Sequence, residues 1–304
     1  MERKRLLLLG LEIRLTDVVT LGGLVFLTLL AGAFSGRLDR PAATIGTNLL
    51  FIALYVGSLV ILRRVRRKEL RFLLRTAAVQ LTFLQIYRAS NDLQLLFFPW
   101  QDDLVLAWEQ AVFGFQPLVA IQKLYFPPVT EWMFFVYVVY VVIYPVLGAI
   151  IFFKRGEDAN EDYLFHLGLV NLVCGLGFIL FPVASPMHWE KVRALLTTSL
   201  TSGPFGFLAE WIRANVHTAG GSIPSPHCAV ATVMWFMARK YTRRGFLLLA
   251  PIMISLYIST VYGRFHYVSD MVIGIATAMC VIAAAPAIER AWERRPLAGR
   301  GGAT

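Results

Sequence analysis

The sequence predicts an all-α fold, a polytopic membrane helix bundle of about eight transmembrane helices with additional interfacial helices. Three observations support it. The 304 residues are 57% hydrophobic and only 16% charged, whereas a soluble domain would carry about 25% charge. Several apolar runs approach or exceed the ~20 residues that cross a bilayer. The net charge of +10 comes from short basic segments between those runs, which is the pattern of the positive-inside rule. We therefore expect a lipid bilayer, and no nucleic acid, as a partner.

Eight apolar runs predict the crossings. The first ten residues join basic side chains to a leucine run that is too short to span, so we expect a basic lead-in and no removed signal peptide. The predicted spans cover residues 15–35, 44–62, 76–98, 130–153, 163–181, 225–238, 245–261 and 267–288.

The distribution of charge predicts an orientation. Counting from a cytoplasmic N-terminus places each dense basic run on the inner side. An acidic loop and two histidine segments then lie together on the outer side, which predicts a shared extracytoplasmic site and cytoplasmic termini. The basic runs are residues 63–75, 154–155, 239–244 and 290–295.

The apolar runs and the charge distribution together divide the chain into four parts. Residues 99–129 are acidic and amphipathic, which favours helices lying in the outer interface. Before them, residues 1–98 hold the basic segment and three transmembrane helices. After them, we expect a catalytic helix bundle at 130–290 and a cytoplasmic tail at 291–304. The three cysteines lie in or beside apolar runs, so neither a disulfide nor a zinc site is expected.

Polar groups concentrate between the last two spans. His266 and Asp270 are four residues apart, so on a helix the two side chains can meet. His227 ends a Pro-Ser-Pro-His turn at the start of another span. Phosphoryl transfer through a histidine needs a neutral imidazole nucleophile, a carboxylate that orients it, and an acid for the leaving oxygen. We expect His266, Asp270 and His227 in these roles, and a structural role for the other outer-segment histidines.

Four further residues are candidates for binding phosphate. Ser225 and Arg264 flank the two histidines in sequence. Arg88 lies in the outer half of the third span, where it either points into the site or pairs with Asp92 four residues later. Lys191 lies in the long outer segment before the Pro-Ser-Pro-His turn. For Arg264, the alternative is that the side chain snorkels to lipid head groups.

These residues resemble motifs of the type 2 phosphatidic acid phosphatase superfamily. Pro-Ser-Pro-His at 224–227 is similar to its Pro-Ser-Gly-His motif, and His-Tyr-Val-Ser-Asp at 266–270 is similar to its His-x-x-x-Asp motif. The His-Tyr form, with Phe-Pro-Val-Ala-Ser-Pro at 181–186, resembles inositol phosphorylceramide synthase and its bacterial relatives. The resemblance covers about residues 100–290. It implies a six-helix phosphatase-like core, no metal or other cofactor, a phosphohistidine at His266, and a bacterial plasma membrane.

The chain also departs from the family pattern. Ser259 and Thr260 stand where the third motif normally has Ser-Arg, and Pro226 replaces the glycine of the second motif. The first motif, Lys-x6-Arg-Pro, is absent. If the seventh span continues far enough, Arg264 lies one turn above Thr260 and supplies the missing cation.

The resemblance implies a membrane lipid phosphatase whose substrate is a phosphorylated lipid. Two alternatives stay open: transfer of a phosphorylated head group to an alcohol acceptor, and a non-catalytic relative that binds or transports lipid. The sequence does not identify the lipid, the acceptor or the oligomeric state.

Overall fold

The computed structural model describes residues 6–8, 11–200, 202–215 and 219–294, and they form a helical bundle preceded by a short hairpin. The hairpin, which the sequence analysis did not predict, pairs β1 (Leu6–Leu8) with β2 (Leu11–Ile13) antiparallel. In chain order the helices are α1 (Leu15–Ala33), α2 (Pro41–Leu62), α3 (Lys68–Asp92), α4 (Asp102–Phe113), α5 (Pro117–Ala120), α6 (Pro127–Arg155), α7 (Glu157–Leu180), α8 (Glu190–Arg193), α9 (Pro204–Asn215), α10 (Pro226–Tyr241), α11 (Arg243–Tyr262) and α12 (Val268–Arg294).

The predicted class, an all-α multi-pass membrane bundle, is confirmed. Within the described residues, six helices are long and apolar enough to cross a membrane: α1, α2, α6, α7, α11 and α12. The other two predicted crossings also form as helices. However, α3 is too polar for that criterion, and α10 has only 16 residues, about 24 Å of helix against a ~30 Å hydrocarbon core.

Helix α10 lies at the centre of the bundle. It packs against α6, α7, α11 and α12, and the side chains from Cys228 to Met234 are buried. A helix that is surrounded on all sides needs apolar residues around its whole circumference. The helices at the periphery of the bundle instead expose large apolar side chains, such as Leu29 of α1 and Leu248 of α11, as expected of a surface in contact with lipid.

The N-terminal helices attach to this core through α7. Small residues on α7 allow α3 to approach closely, because a Cβ at Gly168 would lie 2.9 Å from the Phe83 ring and one at Gly175 would meet Ser90. Helices α1 and α2 pack on the outside of α3, and α1 also contacts α7. Because α3 packs closely on α7, the structure does not separate residues 1–98 from residues 130–290. The predicted division of the chain into these parts stays a prediction.

A buried ion cluster joins these helices at one end. Arg75 of α3 pairs with Asp17 of α1 and, at 2.8 Å, with Glu161 of α7. The hydroxyl of Tyr55 on α2 donates to Asp17 at 2.6 Å, so four helices share one network. Buried charges are tolerated where each has partners, and here they fix the register of α1, α2 and α3 against α7.

Candidate active site

The segment between α11 and α12 brings His266 and Asp270 together. Nδ1 of His266 lies 3.1 Å from Oδ2 of Asp270, and the two residues are 3% and 0% exposed. The backbone N–H of Tyr267 donates to the same oxygen at 3.0 Å, so the carboxylate also holds the first turn of α12. An imidazole that donates from Nδ1 to a carboxylate keeps its Nε2 lone pair, which is the form required of a nucleophile.

His227 faces that second nitrogen. Its Nδ1 lies 3.3 Å from Nε2 of His266, and the two ring centroids are 5.5 Å apart. Tyr137 of α6 stacks on the His227 ring at 5.0 Å and on Phe265 at 4.2 Å. The aromatic stack fixes the direction of the His227 ring, so both histidines meet in one site.

Ser222 is a member of this site that the sequence analysis missed. Its hydroxyl donates to Oδ2 of Asp270 at 2.6 Å and lies 3.2 Å from Nδ1 of His266. The residue is 1% exposed. The only available signal was its position five residues before His227, in a Gly-Gly-Ser stretch that reads as an ordinary loop.

Ser225, a candidate phosphate-binding residue, also connects the starts of α10 and α12. Its side chain accepts from the backbone N–H of Cys228 at 3.4 Å and so caps α10. Its own N–H donates to the backbone carbonyl of Asp270 at 3.1 Å. Gly274 permits this contact, because a Cβ there would lie 2.6 Å from the Ser225 carbonyl oxygen. The α10 and α12 N-termini, which carry the two histidine motifs, are therefore in direct contact.

Arg264 does not lie on a helix. Helix α11 ends at Tyr262, and Arg264 adopts a left-handed conformation with φ of 65°. The condition for placing it one turn above Thr260 is thus not met. Its guanidinium lies over the ring of Tyr125 at 5.3 Å, where Nε donates to the Tyr125 hydroxyl at 3.2 Å and Nη2 to the carbonyl of Thr198.

A second guanidinium lies near Arg264. Burial, followed by the nearby charge of Arg264, lowers the pKa of Arg213 on α9. Arg213 also pairs with Glu210 one turn earlier. The charges of Arg213 and Arg264 are thus close enough to repel each other, and Glu210 partly neutralises Arg213. Arg213 belongs to no recognisable motif, although it precedes the Pro-Ser-Pro-His turn by only eleven residues.

The remaining two candidates lie on the surface. Lys191 pairs with Asp103 at 2.6 Å, with side chains that are 68% and 53% exposed. Arg88 is exposed on the same α3 face as Leu81 and Leu84, and the acid predicted to pair with it instead accepts from Thr44. The structure does not bring either cation to the two histidines, and their role in phosphate binding stays a prediction.

Helix α4 braces the His-Tyr-Val-Ser-Asp segment from outside. Its two buried carboxylates are seven residues apart, so they share a face. Asp102 accepts from the hydroxyl of Tyr267 at 3.0 Å and from the backbone N–H of Ala184 at 2.8 Å. Glu109 accepts from the backbone N–H of Ser269 at 2.9 Å. Burial raises the pKa of Asp102 to about 6. The sequence predicts a helix here, and its position in the membrane interface stays a prediction; the contact of this helix with the histidine motif was not predicted.

The arrangement provides the parts of a histidine nucleophile. A buried carboxylate and a serine hydroxyl hold Nδ1 of His266, while Nε2 faces a second imidazole that can move a proton. Arg264 precedes His266 by two residues in the sequence, and its guanidinium donates to Tyr125 and Thr198. Among the described residues, a group of His, Asp and Glu with metal-ligand spacing lies elsewhere, on α7 and α12.

Comparison with known proteins points to one family. A family model described as the PAP2 superfamily matches residues 103–284. No curated protein matches the chain. A solved structure, the first transmembrane PAP2-type phosphatidylglycerolphosphate phosphatase from Bacillus subtilis, aligns at 16% identity with a TM-score of 0.38, covering 73% of this chain and 98% of that one.

Proposed function

Because the chain belongs to the PAP2 superfamily, we propose that it is an integral-membrane lipid phosphatase. It removes the phosphoryl group of a phosphorylated lipid at the extracytoplasmic face, through a phosphohistidine on His266. One observation carries the proposal: Nε2 of His266 faces His227 at 3.3 Å while Asp270 holds Nδ1 from behind at 3.1 Å.

In the first step, Nε2 of His266 attacks phosphorus and the bond from phosphorus to the lipid oxygen breaks. His227, as an imidazolium, donates its proton to that leaving oxygen, and the lipid departs as an alcohol. Asp270 stabilises the positive charge that develops on His266 as the phosphorus–nitrogen bond forms. Ser222 donates to the same carboxylate oxygen, so it keeps Asp270 oriented.

In the second step, His227 is neutral and takes a proton from water. The water oxygen attacks phosphorus, the phosphorus–nitrogen bond breaks, and inorganic phosphate leaves. His266 returns to its neutral form and His227 to its imidazolium form, so both histidines are ready for the next substrate.

The non-bridging oxygens need cations or hydrogen-bond donors. We assign this role to Arg264, with Arg213 as a second cation, because the charge of Arg264 is close enough to lower the pKa of Arg213. The backbone at the start of α10 contributes less than in the usual motif, since Pro226 has no N–H and the N–H of Cys228 is already bonded to Ser225.

An acceptor other than water would make the same enzyme a transferase. The phosphohistidine forms in the same way in both cases. The Phe-Pro-Val-Ala-Ser-Pro stretch at 181–186 supports an alcohol acceptor, because it resembles inositol phosphorylceramide synthase. In the structure this stretch reaches the site through Ala184, which binds Asp102 and whose carbonyl accepts from Gly220.

The test uses the purified protein in detergent micelles with a panel of phosphorylated lipids, measuring phosphate release with and without inositol. The expected result is release that His266→Ala reduces by at least about a thousandfold, as removal of a covalent nucleophile does. Acid-labile 32P on the wild-type protein, absent from His266→Ala, identifies the intermediate.

His166→Ala is the matched control, because it also removes a buried imidazole, and His166 lies on α7 bonded to the backbone carbonyl of Asp162. Turnover that survives in His266→Ala at the wild-type rate rejects the mechanism. A wild-type protein that binds these lipids without turnover supports the non-catalytic alternative.

A further inference from the structure

A second group of chemically active side chains lies at the other end of the bundle. Asp162 and His166 are one turn apart on α7, and Glu289 lies near the end of α12. Along α12, Glu289 is nineteen residues from Asp270, about 28 Å of helix. The group is therefore separate from the candidate active site, on the side that the basic runs assign to the cytoplasm.

The three side chains converge. One ligand atom from each, a carboxylate oxygen or a ring nitrogen, lies within 4.8 Å of the other two. Asp162 and His166 are 0% and 2% exposed, and Glu289 is half-buried. Two facing helices of a bundle that supply inward-pointing carboxylates and a histidine at helical spacing form a common frame for metal binding.

The orientation of His166 suits a metal ligand. Its Nδ1 lies 2.8 Å from the backbone carbonyl of Asp162, and a carbonyl can only accept, so Nδ1 carries the proton. In that tautomer Nε2 has a lone pair. Ligating histidines in metal sites generally donate their other ring N–H to a carbonyl or carboxylate in this way.

An open cavity adjoins the group. It measures about 480 Å³ and includes Glu289 in its wall. The charged residues of that wall are three carboxylates and two guanidiniums, so a cation meets no net repulsion there. They are Asp158, Glu289, Glu293, Arg155 and Arg290.

A cation already contacts the group from one side. Lys240 of α10 lies 2.6 Å from Oδ2 of Asp162, and the hydroxyl of Tyr241 donates to the same oxygen at 2.5 Å. Both bonds use Oδ2, whereas Oδ1 lies 3.3 Å from Nδ1 of His166. The lysine side chain is 41% exposed. It therefore competes for Asp162 from the solvent side.

We propose that Asp162, His166 and Glu289 bind one divalent transition-metal ion, with Zn²⁺ as the best match. One imidazole nitrogen and two carboxylate oxygens suit Zn²⁺ better than Mg²⁺ or Ca²⁺, which prefer sites built from oxygen alone. Three protein ligands leave a fourth position for water. The ion joins α7 to α12 at the inner end of the bundle and takes no part in the phosphoryl transfer.

The experiment is equilibrium metal binding to the purified full chain in detergent, carrying no polyhistidine tag. After removal of metal with a chelator, the protein is titrated with Co²⁺ as a spectroscopic probe and then with competing Zn²⁺. The expected result is one Co²⁺ per chain, displaced by Zn²⁺, with an absorption spectrum typical of nitrogen and oxygen ligands in low coordination number.

Matched variants make the test specific. Glu289→Gln preserves shape and, like His166→Ala, is expected to weaken binding at least tenfold. Lys240→Met is expected to strengthen it several-fold, because it removes the competing charge. His188→Ala, which lies outside the group, should bind as the wild type does.

Two results would overturn the proposal. One is a wild-type protein that takes up no stoichiometric metal, which would identify the group as a hydrogen-bonded ion cluster only. The other is binding that Glu289→Gln and His166→Ala leave unchanged. Phosphate release, measured on the same samples, is expected to persist after the chelator, so failure of the metal site is distinguishable from failure of the proposed function.

Discussion

Replacing Ser222 with alanine tests the organisation of the proposed site most directly. The hydroxyl donates to Asp270 at 2.6 Å and lies 3.2 Å from the ring of His266. A hydrogen bond to a charged group contributes about 1.5–3 kcal/mol, and each 1.36 kcal/mol is a factor of ten in rate. The carboxylate oxygen in question keeps two other donors, from His266 and the Tyr267 amide. We therefore expect the lower part of that range, about a 10- to 50-fold loss of kcat.

The loss should depend on Asp270. If Ser222 acts by orienting this carboxylate, then Asp270→Asn, which removes the charged acceptor, also removes most of the benefit of the hydroxyl. In a double-mutant cycle, Ser222→Ala is expected to lower kcat less than about threefold further when added to Asp270→Asn. The KM of the lipid substrate should hardly change in Ser222→Ala, because the hydroxyl acts behind the nucleophile.

The assay is steady-state phosphate release from the best substrate of the lipid panel. Ser255→Ala serves as the control, since that serine takes part in a hydrogen bond between helices, from Trp132 at 3.0 Å, but lies on α11 outside the site. The reasoning is refuted if Ser222→Ala retains kcat within about twofold of the wild type. Fully additive losses in the double variant would also refute it.

Two further predictions concern the surroundings of the site. Burial raises the pKa of Asp102 from 3.8 to about 6, so the folded protein binds the carboxyl proton of Asp102 more tightly than the unfolded chain does. The protonated carboxyl therefore stabilises the fold fully below about pH 3.8, and this stabilisation is lost as the pH rises through about 6. Thermal unfolding from pH 4 to pH 6 should therefore show a smaller fall in Tm for Asp102→Asn than for the wild type, and parallel curves would contradict this. Arg264→Ala is expected to raise the substrate KM at least about tenfold, as loss of a charge-assisted phosphate contact does. Arg88→Gln, on the exposed leucine face of α3, should change the KM by no more than about twofold. Equal effects of the two substitutions would refute the distinction between these arginines.

Much of the architecture could be predicted because membrane helices are encoded locally. An apolar run of sufficient length has few alternatives in a bilayer, so all eight predicted spans form as helices. Whether a helix crosses the membrane was harder to predict for α3, because polar groups such as Gln85 and Arg75 are buried against other helices. Hydropathy does not distinguish burial in protein from exposure to lipid. The polar face of α3 is tolerable because Gln85 donates to Asn48 of α2 and Arg75 pairs with acids of α1 and α7.

The candidate site divides in the same way between local and distant information. The four-residue spacing predicts the contact of His266 with Asp270, and the contact forms although His266 lies just before α12 and only Asp270 lies on it. The cations were harder, since their positions depend on loops: Arg264 follows the end of α11 in a left-handed conformation, and Arg213 arrives from α9. Loop conformation depends on tertiary contacts that no short motif specifies.

The members that were missed have a common physical origin. Ser222 and Asp102 come from segments with no motif of their own, yet each donates to or accepts from the His-Tyr-Val-Ser-Asp segment. A buried carboxylate such as Asp270 needs hydrogen-bond donors, and its own segment supplies two of them to Oδ2, from His266 and the Tyr267 amide. The third donor, Ser222, comes from a loop that packs against this segment, the stretch before α10. Positioning groups of this kind follow from the requirement that buried charge be solvated by protein, and they can be found only once the fold has shown which loops are adjacent.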